Sequence, residues 1–130
     1  MAEKYEKITK VVLELTTCKK FRGSTDDPIV LYIGSYSWDI DKPYYDDFER
    51  GKIDSYDLEV PVGMDSSWFQ YLCLRKKAST TKEDDWCLEK IKLTINDNVV
   101  YEYGPEEIWL KHDKTSWCAP GFKYGKASEE

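Results

Sequence analysis

The sequence predicts an all-β fold, an antiparallel sandwich or barrel of short strands. Three observations lead there. Apolar residues recur with period two in short runs rich in β-branched and aromatic side chains. Turn-forming residues punctuate those runs at Gly23-Ser24, Pro43, Gly51, Pro61-Val62-Gly63, Asn96-Asp97-Asn98 and Gly104-Pro105. No segment carries a helical stripe longer than two turns.

Taken in order, Val11, Leu13 and Leu15 alternate with Val12, Glu14 and Thr16, the pattern of a strand with one buried face. Pro28 to Ile33 is nearly continuous apolar, as a buried strand is, and Tyr36 to Ile40 reads as an edge strand. Tyr56, Leu58 and Val60 alternate with Ser55, Asp57 and Glu59. Trp68 to Leu74 and Trp86 to Ile95 are the two longest strand candidates, and Val99 to Tyr103 and Ile108 to Leu110 complete eight. Asn96-Asp97-Asn98 suits a tight hairpin, because Asn and Asp tolerate positive φ. Residues 8–116 are expected to form one domain, with a tail at 1–7 and a Gly-, Pro- and Lys-containing tail from Trp117 to Glu130 that should fray.

A chain of 130 residues with 41% apolar and 15% aromatic content can bury one real core. Its 19 Lys and Arg stand against 25 Asp and Glu, a net charge of −6 that argues against nucleic acid as a partner. No run approaches the roughly 18–20 apolar residues of a membrane span. Met1 to Lys7 leads into no apolar signal region, so the expected compartment is the cytoplasm, or the exterior if a signal has been removed.

Four cysteines, Cys18, Cys73, Cys87 and Cys118, permit two bridges without demanding them. Cys73 and Cys87 flank a presumed hairpin and are the first pair to test, and four reduced buried thiols are an equal alternative. No Cys-x-x-Cys spacing exists for zinc, and the single histidine, His112, sits between Lys111 and Asp113 as a surface residue. Nucleophile elbows, phosphate-cradling Gly loops and His-Glu-x-x-His are missing from the sequence, so no catalytic residue is expected and the chain is read as a non-enzyme.

Acidic clusters are the informative feature: Asp26-Asp27, then Asp39, Asp41, Asp46 and Asp47, then Asp84-Asp85. Loops of a sandwich gather at its two ends, and convergent carboxylates repel unless a cation joins them. Ca²⁺ takes six to eight oxygens in irregular geometry and suits such a set.

These residues resemble a known family. Gly23-Ser24-Thr25-Asp26-Asp27 leading into Ile29 to Ile33 is similar to the first turn and second strand of PLAT (lipoxygenase-homology, LH2) domains. Asp47-Phe48-Glu49-Arg50-Gly51 followed by Asp54-Ser55-Tyr56 resembles the family's Asp-Phe-Glu-Arg-Gly signature. Asp84-Asp85-Trp86-Cys87-Leu88-Glu89-Lys90-Ile91 and Ile108-Trp109-Leu110 are similar to two later segments, in family order. The Arg-Lys-rich strand end Leu74-Arg75-Lys76-Lys77 brings the likeness nearest to the C-terminal domains of clostridial phospholipase C toxins.

The resemblance implies a sandwich of two four-stranded antiparallel sheets and a non-catalytic module for peripheral membrane or lipid binding, assisted by Ca²⁺. A protein–protein interaction domain independent of Ca²⁺ is the alternative, with carbohydrate binding on a sheet face third. Carried over by position, it offers Thr25, Asp26, Asp41, Asp46, Asp47 and Asp84 as Ca²⁺ ligands. Trp38, Tyr44 and Tyr45 beside the second cluster are candidates for insertion at the interface, Trp38 reading equally as an edge-strand packing residue; Lys76, Lys77 and Lys82 are candidates for contact with anionic lipid, with a solvated hairpin tip the simpler account. Phe48, Arg50 and Asp54 read as structural.

Overall fold

The computed structural model describes residues 5–20, 29–40, 51–77, 85–111 and 115–125. Among these residues nine strands follow in order: β1 (Val11–Thr17), β2 (Ile29–Tyr32), β3 (Ser37–Ile40), β4 (Ile53–Leu58), β5 (Cys73–Lys76), β6 (Trp86–Ile95), β7 (Asn98–Tyr103), β8 (Ile108–Leu110) and β9 (Ser116–Cys118). They form two antiparallel sheets. One has the order β4-β1-β6-β7, with β8 also paired to β6, and the other has the order β3-β2-β5-β9. The expected pair of four-stranded sheets is therefore five strands against four. β6 is long enough to hold two partners on one side, β8 along Trp86 to Leu88 and β7 along Ile91 to Ile95.

The period-two pattern sorts each strand into an inner and an outer face. Val11, Leu13 and Leu15 of β1, Ile29 and Leu31 of β2, and Ile91, Leu93 and Ile95 of β6 all point into the core. Large rings fill the middle: Trp86 and Phe69 are fully buried. At the β6–β7 hairpin Asn96 and Asp97 take φ of 50° and 68°, the conformation the turn residues suggested.

Three expectations are corrected. The run from Trp68 to Leu74 is not one strand. Asp65 accepts from the Ser67 amide at 2.9 Å and caps a 3₁₀ turn at Ser66–Trp68, so the extended backbone begins only at Cys73. The segment from Trp117 does not fray through Gly125: it completes β9, and its Phe122 is buried. The amino-terminal residues are tied too, since Lys7 bridges Asp65 and the Glu6 amide donates to Ser66 Oγ at 2.9 Å.

The cysteines pair as Cys18–Cys87 and Cys73–Cys118, with no free thiol. Both the Cys73–Cys87 pairing and the reduced alternative are corrected. Cys73 lies on β5 directly opposite Cys118 of β9, and Cys18 follows β1 beside the start of β6. Each bridge thus works within one sheet. The strand needed to pair Cys73 was the one missing from the sequence reading.

Candidate functional site

Strand direction decides which loops share an end. In the larger sheet the end of β1 lies beside the starts of β4 and β6, through the pairs Thr16↔Ile53 and Thr17↔Leu88. In the smaller sheet the start of β2 lies beside the ends of β3 and β5, through Ile29↔Ile40 and Ile29↔Lys76. β8 ends and β9 begins at that same end, through Trp86↔Leu110 and Arg75↔Ser116. Four connections between the sheets, β1 to β2, β3 to β4, β5 to β6 and β8 to β9, therefore leave and enter at one end of the sandwich. The first three carry the acidic clusters in sequence.

The base of this end is tightly held. The Gly51 amide donates to the Thr17 carbonyl at 3.0 Å, the Thr17 amide donates to the Lys52 carbonyl at 3.0 Å, and the Cys18 amide donates to the Cys87 carbonyl at 2.9 Å. Gly51 has φ of +72°, a left-handed turn that admits glycine without strain just where the chain enters β4. The Trp86 indole N–H donates to Thr17 Oγ1 at 2.9 Å inside the core. The Cys18–Cys87 bridge then locks the exit of β1 to the entry of β6. Anything borne by the loops above stands on a rigid floor.

Two charged side chains are drawn inward at this end. Asp54 of β4 and Lys76 of β5 sit on the inner faces of their sheets, each about 1% exposed and each partnered. Asp54 fits its reading as structural. Lys76 does not fit its own: in-phase with Leu74, it faces inward and cannot reach a lipid surface. Trp38 is corrected likewise. It is 7% exposed, and its indole N–H donates to the Glu59 carbonyl at 2.8 Å, tying the edge strand β3 to the chain leaving β4. Its ring also meets Tyr36 edge to face at 5.1 Å. Lys77, one residue beyond β5, is exposed, with Asp39 Oδ1 3.9 Å from its Nζ.

Thr25, Asp26, Asp41, Asp46, Asp47 and Asp84, with Tyr44, Tyr45 and Lys82, lie outside the described residues, as do Phe48 and Arg50. Among the described residues no group of three or more His, Cys, Asp or Glu side chains is placed to hold a metal ion. No helix among them is long and apolar enough to cross a membrane.

Residues 11–118 match the family model of the PLAT/LH2 domain. The chain belongs to the PLAT/LH2 domain family. It is 28% identical over 120 residues to a phospholipase C of Clostridium haemolyticum, covering 84% of this chain and 28% of that protein. Its fold matches the alpha toxin of Clostridium absonum with a TM-score of 0.77 at 21% identity, over 90% of this chain and 32% of the toxin. It also matches coral 8R-lipoxygenase, a structure described in terms of calcium activation via a C2-like domain, with a TM-score of 0.63 at 20% identity, over 85% of this chain and 16% of that one. The chain thus spans under a third of the length of these proteins.

Proposed function

We propose that this PLAT domain is a non-catalytic module that docks peripherally on phospholipid surfaces through the end where the four crossings gather, with Ca²⁺ assisting. One observation carries the reading: the strand ends flanking segments 21–28, 41–50 and 78–84 all belong to the same end of the sandwich. Carboxylates from Asp26, Asp41, Asp46, Asp47 and Asp84, with Thr25, are the residues that would hold the ion. Bound there, Ca²⁺ supplies positive charge that offsets the acidic rim and attracts lipid phosphate. Tyr44 and Tyr45 supply rings suited to the membrane interface, and Lys77 and Lys82 add about 1 kcal/mol each near an anionic surface.

Vesicle co-sedimentation with and without a chelator tests it. The expected result is binding to phosphatidylserine-containing vesicles that falls on chelation and on Asp26→Asn, Asp46→Asn or Asp84→Asn. Equal sedimentation of all forms would remove the role of Ca²⁺. Failure of every form to bind vesicles would remove the lipid and leave a protein partner as the alternative.

A further inference from the structure

The outer face of the four-stranded sheet carries chemistry that the loop end does not use. Along β2, Val30 and Tyr32 sit on the outer face, flanked in register by Asp39 and Ser37 of β3 and by Arg75 and Cys73 of β5. A groove of ≈ 380 Å³ opens there, lined chiefly by Val30, Tyr32, Tyr36, Ser37, Arg75 and Lys77. Its aromatic wall is braced: Tyr32 and Tyr71 meet edge to face at 6.1 Å, and the Tyr71 hydroxyl donates to the Gly34 carbonyl at 3.1 Å. The sheet beneath is fixed by the Cys73–Cys118 bridge two register positions from Arg75.

Charge on this face runs against that of the chain. Among the described residues of this face, Arg75 and Lys77 stand beside a single carboxylate, Asp39, in a protein of net charge −6. Lys77 is the residue that Asp39 approaches, at 3.9 Å. Arg75 is exposed, and while its backbone joins the ladders to β2 and β9, its guanidinium makes no ion pair or hydrogen bond among the described residues.

We propose that this groove binds an acidic saccharide, a pyranose carrying a carboxylate or sulfate. A guanidinium with no partner among the described residues presents a planar donor fork that matches such an anion in two parallel hydrogen bonds. A held tyrosine ring offers a flat apolar surface to the C–H face of a sugar, while Ser37 and the tyrosine hydroxyls exchange hydrogen bonds with its hydroxyls. The volume is on the scale of a small-ligand site. A long polyanion is repelled by the rest of the protein, and a bare phosphate would leave the aromatic wall unused.

The experiment is calorimetric titration without Ca²⁺, using a uronate-containing oligosaccharide, a sulfated one, a neutral one and inorganic phosphate. The acidic sugars are expected to bind, the neutral sugar and phosphate at least tenfold more weakly. Arg75→Gln is expected to lose at least tenfold, and Lys77→Gln and Tyr32→Leu to lose less, with melting of Arg75→Gln unchanged. Binding of the neutral sugar as tight as the acidic one, phosphate as tight as sugar, an unaffected Arg75→Gln, or no sugar binding at all would each overturn the proposal. None of these outcomes depends on lipid docking.

Discussion

Replacing Asn96 by Ala should destabilise this domain far more than an exposed turn residue ordinarily does. Asn96 Oδ1 accepts from the Thr9 amide at 2.7 Å, the Thr9 hydroxyl at 2.9 Å and the Lys10 amide at 3.1 Å. Its Nδ2 donates to Glu6 Oε2 at 2.9 Å and to the Lys7 carbonyl at 2.8 Å. Water can replace each of these, so about 0.5 kcal/mol apiece is the appropriate net figure, near 2.5 kcal/mol together. Alanine at φ of 50° adds about 1 kcal/mol, which Asn tolerates better and Gly avoids. The total is about 3.5 kcal/mol. With an unfolding entropy near 2.1 cal/mol/K per residue, or about 0.27 kcal/mol/K for 130 residues, that lowers Tm by about 13 °C. Differential scanning calorimetry on wild type, Asn96→Ala and Asn96→Gly separates the two contributions, since Gly should lose only the hydrogen-bonded part. If both variants melt within about 2 °C of wild type, the hub is not holding the amino-terminal segment.

The same variants report through pH. Hydrogen bonds from Asn96 and then Tyr124 hold the Glu6 carboxyl below its ordinary range, and slight burial opposes them. Its folded pKa lies below the unfolded value of about 4.3. The stability it contributes is therefore present above that value and lost as pH falls through the folded pKa. Asn96→Ala should flatten this acid dependence, and Tyr124→Phe should flatten it less.

Other perturbations are expected to act as follows. Gly104→Ala places a Cβ against the Glu89 carbonyl at φ of +112°, so a loss of about 2–3 kcal/mol is expected in urea unfolding, with the β7–β8 connection exchanging amide protons faster. Cys73→Ser with Cys118→Ser opens a link spanning 45 residues, which the loop-entropy relation values at about 4 kcal/mol as an upper figure; a midpoint shift under about 1 kcal/mol would mean that β9 holds without it. Trp38→Phe removes the hydrogen bond to Glu59 and should cost about 1–2 kcal/mol in thermal melts while leaving vesicle binding unchanged.

Strand periodicity carried most of the fold into the sequence. The run Trp86 to Ile95 is β6 with the same limits, because alternation and a terminating turn agree there, and Ile108 to Leu110 is β8, an unbroken apolar run set off by Gly104-Pro105. Where they disagreed the reading failed. Trp68 and Phe69 are apolar enough for a strand, but Asp65 captures the backbone three residues earlier. Ser116–Cys118 has too few residues to display a period, and only pairing to β5 extends it. The charge of Lys76 points to the surface and its phase with Leu74 points inward, and the phase prevails. Trp38 lies beside an acidic cluster in sequence but shares its phase with Ile40, and phase decided. The gathering of the acidic segments needed strand directions, which only the register supplies. The groove at Arg75 joins residues from β2, β3 and β5 and leaves no local trace in the chain.

The hydroxyl of Tyr124 meets Oε1 of Glu6 at 2.8 Å, at the end of the sandwich away from the acidic crossings. Burial and this contact with Glu6 raise the Tyr124 hydroxyl well above the usual tyrosine range, so it stays a donor at any physiological pH. First and last parts of the described body are thus neighbours. A circular permutant joining them through a short linker, with new termini opened elsewhere on the surface, should still fold. Grafted into a surface turn of an unrelated host, the same body would project its far end outward like a lamp on a bracket.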